Sequence, residues 1–380
     1  MLKITILALH LGTGGTEKAV ATISNMLTKR CEVEIISNYK LEETPAFEID
    51  ERVKIRYLMP KLKPNAKEFK MALKSFHVWT ALKEGIKALR ILYLRRALMK
   101  KEIKHLDCDI AISTRYLYTK LLGKYGNKRI IKVAQEHNDN GKKSYIRKTV
   151  RSLKNIDYLM PVSKHLMEVY EEKLKKKETE CVYIPHCLNT YPNEVSPLEE
   201  KNIVSIGRLS SEKGFLDLVE VFEFVSKKHP DWRLTIVGEG KEREKIEEQI
   251  KEKNLYDKIT LVGLKNEEEV KDILLESSMY VMTSFYESFG LVLIEAESFG
   301  IPLLAFDSAK GPNEIIQSGR NGFLVPNRNK KLMANRINEL IENQGLRRQI
   351  GIGAREDSEK YKMENIERIW YKFIEKMITN

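Results

Sequence analysis

Two glutamates set eight residues apart carry the most specific chemical signal in this chain. Glu287 lies in the polar stretch Ser284-Phe-Tyr-Glu-Ser-Phe-Gly290, and Glu295 follows inside the apolar run Leu291-Val-Leu-Ile-Glu-Ala296. A helix starting near Ser288 places Glu295 about two turns inside an element that is apolar nearly all round. A carboxylate there needs partners, and adjacent hydroxyls of a ligand would supply them. Gly290 lets the backbone approach a ligand closely. A second stretch, Ser205-Ile-Gly-Arg-Leu-Ser-Ser-Glu-Lys-Gly214, ends an apolar strand at Gly207 and projects Arg208 and Lys213 beyond it. Two cations past a strand end suit a diphosphate, which arginine grips with paired hydrogen bonds. A third, His10-Leu-Gly-Thr-Gly-Gly-Thr-Glu-Lys18, brings Gly14 and Gly15 to the start of a helix, where free N–H groups face an anion. Its glycine spacing matches neither the dinucleotide fingerprint nor a Walker A loop. Val237-Gly-Glu-Gly240 reads as an ordinary strand-to-helix turn with a structural role.

These loops need a parallel α/β frame, and the chain alternates short apolar strands with helical stretches as such a frame requires. Strands are expected at Lys3–Leu9, Val33–Ser37, Val53–Tyr57, Ile110–Ser113, Ile130–Gln135, Tyr158–Val162 and Val182–Ile184. A polar, proline-containing stretch, Asn189–Glu200, interrupts the pattern. It resumes at Ile203–Ile206, Leu234–Val237, Ile259–Val262, Tyr280–Thr283 and Leu303–Phe306. Helices are expected at Phe215–Lys228, Glu242–Lys253, Glu267–Leu275 and Leu291–Phe299. This gives two doubly wound domains, 1–190 and 191–362, and a last helical stretch, 363–380, available to pack back on the first domain. Ile366, Ile369, Trp370, Phe373 and Ile374 form its apolar side. A ligand site belongs in the cleft between the domains, beyond the carboxyl ends of the strands.

Composition narrows the rest. The chain has 380 residues, 42% of them apolar and 32% charged, which is globular and not disordered. Its four cysteines form no CxxC pair, which argues against a zinc cluster or a disulfide framework and fits a reducing cytoplasm. No apolar run reaches the ~18–20 residues of a membrane helix, and Met1–His10 reads as a first strand rather than a signal peptide. The net charge is +12, and Lys61–Lys104 supplies +10 of it through 13 basic and 3 acidic residues. Within it, Ala72–Met99 has helical periodicity, with Phe76, Trp79, Leu82, Ile86, Leu89 and Tyr93 along one stripe. Such a helix either lies on an anionic membrane surface or packs its stripe inward with a solvated outer face. No nucleic-acid motif accompanies the charge. Asp107-Cys-Asp109 has a metal-binding spacing, but it abuts a buried strand and reads as structural.

Together these motifs resemble the retaining, nucleotide-sugar-dependent glycosyltransferases of family 4, also called glycosyl transferases group 1, with the GT-B fold. The resemblance spans nearly the whole chain and is strongest over Asn202–Pro326, where Gly311-Pro-Asn-Glu-Ile-Ile and Asn321-Gly-Phe-Leu-Val add to the motifs above. Glu136-His137-Asn138, after the strand Ile130–Gln135, matches in position and type. The resemblance implies that Arg208 and Lys213 bind the donor diphosphate, that Glu287 lies near the donor sugar and that Glu295 holds the ribose. It also implies that N–H groups around Phe289, Gly290, Leu291 and Val292 face the phosphates. Gly14, Gly15 and Gly207 would line the donor cleft, and His137 would lie near the transferred sugar. His186 stands where many relatives have Asn, beside Asn189. The implied activity moves a hexose or N-acetylhexosamine from a nucleotide sugar, UDP-linked by family habit, to a lipid-linked glycan acceptor in surface polysaccharide synthesis. No metal and no cofactor are implied, and the location is cytoplasmic, peripheral on the inner face of the plasma membrane. A UDP-sugar 2-epimerase of the same architecture and a non-catalytic basic scaffold are the alternatives. The Glu287/Glu295 pair argues against the first, and the anion-binding loops against the second.

Overall fold

The computed structural model describes residues 1–379 except 66, 67, 69, 70, 74–77, 139–142 and 176. Phe76, Lys67, Lys70 and Lys74 of the basic stretch therefore lie outside the described residues.

Two parallel sheets form the frame. The first contains β1 (Leu2–Ala8), β2 (Cys31–Tyr39), β3 (Lys54–Met59), β4 (Ile110–Ser113), β5 (Ile131–Glu136), β6 (Tyr158–Pro161) and β7 (Glu180–Cys181), in the order β3-β2-β1-β4-β5-β6-β7. The second contains β8 (Asn202–Ile206), β9 (Arg233–Val237), β10 (Ile259–Gly263), β11 (Met279–Met282), β12 (Leu303–Phe306) and β13 (Gly322–Val325), in the order β10-β9-β8-β11-β12-β13. Every pairing is parallel. Central strands such as β4, β11 and β12 are buried along their whole length, as expected of strands with helices on both faces. The strand order reverses between β1 and β4 in one sheet and between β8 and β11 in the other. The loops leaving those four strands carry residues 9–14, Arg115, Arg208 and Glu287, so both crevices hold the motif-bearing segments.

Some elements differ from the sequence-based expectation. The last strand of the first sheet is Glu180–Cys181, not Val182–Ile184; it pairs with Tyr158 and Leu159, and only the Val182 N–H continues the ladder, to Leu159 O at 2.9 Å. Pro185 lies just beyond and has no N–H to extend it. In the second sheet β13 is an additional strand that periodicity does not reveal, being four residues long and opened by a glycine.

The final helix, Met363–Thr379, buries Ile366, Trp370, Tyr371, Phe373, Ile374 and Met377. These side chains share one apolar cluster with Ile4, Ile6, Val20, Val33 and Ile112 of the first sheet and its first helix. Ile369 is 41% exposed, so Tyr371 and Met377 complete the face in its place.

The basic helix spans Val78–Lys104. Its buried side chains are Ala81, Ile91, Met99 and Ile103. The stripe read from the sequence faces solvent: Trp79 is 84% exposed, Leu82 55%, Ile86 61%, Leu89 69% and Tyr93 72%. The inward-packed alternative therefore does not hold for these five residues. No helix among the described residues is long and apolar enough to cross a membrane.

Candidate active site

The Arg208 loop is held in place by the turn that follows β9. Gly207 N–H donates to Val237 O at 2.9 Å, and Leu209 N–H to Glu239 O at 3.0 Å. Glycine is required in that turn, because a Cβ on Gly238 would stand 1.9 Å from Gly207 O. Val237-Gly-Glu-Gly240 thus acts as a brace for the Arg208 loop. Arg208 itself is exposed and, among the described residues, makes no ion pair within 4 Å, leaving its fork open to an anion. Lys213, in the short turn Ser211–Lys213, is ion-paired with Glu287.

Glu287 ends the loop after β11, and Arg328 sets that loop's path. The Arg328 guanidinium donates to Ser284 O at 3.0 Å and to Thr283 O at 2.9 Å, pairs with Asp217, and stacks 3.6 Å from the Phe285 ring centre. Glu287 O accepts from Gly311 N at 3.0 Å, which ties the loop to the Gly311-Pro-Asn-Glu segment. The next helix begins at Leu291, with Gly290 at φ 104°, a conformation that favours glycine. The cap residue Gly290 has no side chain to cap this helix, and Leu293 N–H donates to Gly290 O at 2.8 Å, so the N–H groups at the tip are those of Leu291 and Val292. The start at Leu291 rather than Ser288 puts Glu295 one turn inside the helix instead of two.

Glu295 faces the first domain. Lys18, in the helix Gly15–Leu27, reaches across to Glu295 Oε1 at 2.8 Å and to Glu267 Oε1 at 3.0 Å. Burial works against the lysine's charge, but the two carboxylates outweigh it and hold its pKa above the usual lysine value. Gly15 lies just in front, where an added Cβ would stand 3.9 Å from Leu291 Cδ1. The Gly14-Gly15 loop is thus brought onto the open end of the Leu291 helix. Behind it Arg115 donates to Glu17 Oε1 at 2.8 Å, with His10 Nε2 3.7 Å from the same oxygen. Burial pushes the His10 pKa down.

His137 enters from the other side of the first domain. It stacks on His186 at 5.9 Å between ring centres; His186 meets Phe289 edge-on at 5.2 Å, and Phe289 meets Tyr361 at 5.9 Å. This row of rings crosses from one domain to the other. Burial drives both histidines toward the neutral form, His186 to about 4 and His137 well below its ordinary value. His137 Nε2 is buried and has no hydrogen-bond partner among the described residues. Glu136 anchors this turn by accepting from Asn138 N at 2.9 Å, Thr149 Oγ1 at 3.0 Å and Tyr145 Oη at 3.1 Å. Asn189, by contrast, stands apart from the rings and accepts from Asn25.

The structure therefore gathers the residues singled out from the sequence along one interdomain cleft. Lys18, Arg115 and Arg328 are the site-building residues that sequence reading missed. Asp107 and Asp109 hold Lys3, through Nζ at 2.7 Å and the backbone N at 2.8 Å. Among the described residues, no three His, Cys, Asp or Glu side chains gather in a place that could hold a metal ion.

Glu297, two residues beyond Glu295, is fully buried and accepts from Asn321 Nδ2 at 2.7 Å through one oxygen only. Burial pushes its carboxyl up to about 8. The native state therefore binds this proton more tightly than the unfolded chain does, and stability falls as pH rises from about 4.5 to about 8. Glu297→Gln removes that dependence. The variant should melt with the parent at pH 4.5 and about 5 °C above it at pH 8, as read by calorimetry.

Residues 190–357 match the family described as Glycosyl transferases group 1. A glycosyltransferase of uncharacterised specificity from Haemophilus influenzae is 29% identical over 97% of this chain and 99% of its own length. An exopolysaccharide phosphotransferase of Streptomyces coelicolor is 27% identical over 96% of this chain, which spans only 40% of that protein. Among solved structures, a mutant of Staphylococcus aureus TarM, crystallised with fondaparinux, α-GlcNAc-glycerol and UDP, superimposes with a TM-score of 0.79. That match covers 98% of this chain and 99% of TarM at 18% identity. The fold is GT-B, two Rossmann-like parallel-sheet domains facing a cleft. The match to glycosyl transferases group 1 falls on residues 190–357, the stretch that builds the second sheet and its helices.

Proposed function

We propose that this protein is an enzyme, a retaining glycosyltransferase that moves a hexose or N-acetylhexosamine from a UDP-sugar to a lipid-linked glycan acceptor in cell-surface polysaccharide synthesis. The observation that carries the donor half is that Arg208, without an ion pair among the described residues, Lys213, held by Glu287, and the glycine-capped start of the Leu291 helix all lie on loops at the carboxyl ends of the second sheet's strands. Glycosyl transfer expels a nucleoside diphosphate from an oxocarbenium-like centre, and the departing charge must be met. Arg208, Lys213 and the Leu291 and Val292 N–H groups supply that positive field, so the chemistry asks for no metal. Glu295 receives the ribose hydroxyls, exchanging part of its contact with Lys18 for them. Glu287 takes the sugar hydroxyls and keeps Lys213 oriented. His137, driven toward the neutral form and with a ring nitrogen that has no partner among the described residues, serves as a hydrogen-bonding wall against the sugar rather than as a cationic acid. Uridine is supported by the UDP held in TarM, and a surface glycan by the Streptomyces relative's exopolysaccharide role.

Purified protein incubated with a panel of UDP-, GDP- and ADP-sugars should release nucleotide slowly from one UDP-sugar. Glu287→Gln and Arg208→Ala should both lose the release, and NMR of the transferred sugar should show the donor's anomer. Release from none, with no binding of free UDP, would overturn the donor assignment.

A further inference from the structure

The Val78–Lys104 helix presents an apolar stripe that nothing among the described residues covers. Trp79, Leu82, Ile86, Leu89 and Tyr93 recur at spacings of three and four, and each is more than half exposed. The stripe runs ~20 Å along the helix, at ~1.5 Å per residue. Ala81 and Ile91 lie on the opposite side and are buried, Ile91 against Tyr39 and Met59. The helix is thus fixed to the first domain by one face and turns the other outward. Exposed apolar patches of this extent mark contact sites.

The chemistry of the rim selects the partner. At 100° per residue, exposed Lys83, Lys87 and Arg90 fall along one edge of the stripe, and exposed Arg96 along the other. Glu84 is the one acid between Val78 and Lys101; its Oε2 accepts from Asn65 Nδ2 at 2.7 Å and lies 3.8 Å from Lys87 Nζ, so the rim keeps a net positive charge. Trp79 and Tyr93 stand at the two ends of the stripe, and their rings suit the boundary between headgroups and acyl chains. A second copy docked face to face by two-fold symmetry would bring the same basic edges together, and like charges oppose that pairing. An anionic lipid surface satisfies both the apolar stripe and the basic rim.

We infer that this helix seats the enzyme on the surface of an anionic bilayer, with the Trp79–Tyr93 stripe in the interface and Lys83, Lys87, Arg90 and Arg96 on the headgroups. It lies in the plane of the membrane and does not cross it. The helix packs on the neighbouring helix Tyr116–Tyr125, which begins directly after Arg115 of the cleft, so the docked surface belongs to the domain opposite the donor loops.

The test uses the full chain and vesicles of phosphatidylcholine with 30% phosphatidylglycerol, beside pure phosphatidylcholine. Of the three tryptophans, Trp232 and Trp370 are 4% and 2% exposed, so a fluorescence change on binding reports Trp79. The expected result is co-sedimentation with the anionic vesicles, a blue shift of tryptophan emission, and weakening in high salt. Leu82→Asp with Ile86→Asp should abolish the shift and lower vesicle affinity at least tenfold. Lys83→Glu with Lys87→Glu should lower affinity for anionic vesicles by a similar factor. Circular dichroism and UDP binding of both variants should match the parent, which keeps loss of docking distinct from misfolding and from failure of the donor assignment. Equal binding to both vesicle types or to neither would overturn the inference. So would a parent dimer that the Leu82/Ile86 variant converts to monomer without any vesicle binding.

Discussion

Arg208→Ala is expected to lower kcat for nucleotide release by about 10²–10³-fold, the loss typical of removing one preorganised group that meets developing charge. Arg208 has no ion-pair partner among the described residues, so its removal strands no buried carboxylate and should leave the fold untouched. Its loop is also secured independently, by the backbone bonds of Gly207 and Leu209 to the β9 turn. The effect should therefore appear in kcat and in kcat/KM alike, as for an interaction that strengthens on departure of the diphosphate. Arg208→Lys keeps the charge but loses the planar fork and should fall between the two. A variant whose KM alone rises would place Arg208 in ground-state binding instead.

Trp370→Ala is expected to cost about 3–5 kcal/mol, the range for removing a large aromatic from a well-packed core. Trp370 is 2% exposed, and Phe373 meets it at 6.4 Å between ring centres and Tyr158 edge-on at 5.1 Å. The loss falls on the first sheet although the residue comes from the far end of the chain. Calorimetry should show the transition of that unit lowered by about 8–15 °C, while the second sheet keeps its own melting point and its affinity for UDP. Simultaneous loss of both transitions would mean that the two units melt as one.

Much of the frame and of the loops at the strand ends was legible in the sequence, because those signals are local. An apolar strand ending in glycine, then a cation, is a contiguous pattern, and so is Glu287 followed by Gly290 and an apolar helix. The start of that helix was not legible to within three residues: Ser288 and Phe289 have no periodicity to exclude them, and it is Gly290 at φ 104° that sets the boundary. Lys18, Arg115 and Arg328 were missed for a different reason. Each gains its role from a partner far away in the chain, Glu295, Glu17 and the 283–285 loop, and no spacing announces such pairs. The stripe of the Val78–Lys104 helix shows the limit in another way. Periodicity says which residues share a face, but not whether anything covers it; the packing of Ala81 and Ile91 on the opposite side answers that.

The final helix gives the order of manufacture a consequence. The first sheet is complete in sequence at Cys181, yet the helix that seals one of its faces is made only at Met363–Thr379. At ~5–20 residues per second, synthesis of the intervening stretch takes roughly 10–40 s. For that time Ile4, Ile6, Val33 and Ile112 lack the Trp370 and Phe373 that cover them in the finished protein. Meanwhile the second sheet, whose strands are contiguous between Asn202 and Val325, has all of its own parts. The domain translated first is thus the one finished last, and the nascent chain must be kept from aggregating through the face that awaits its closing helix.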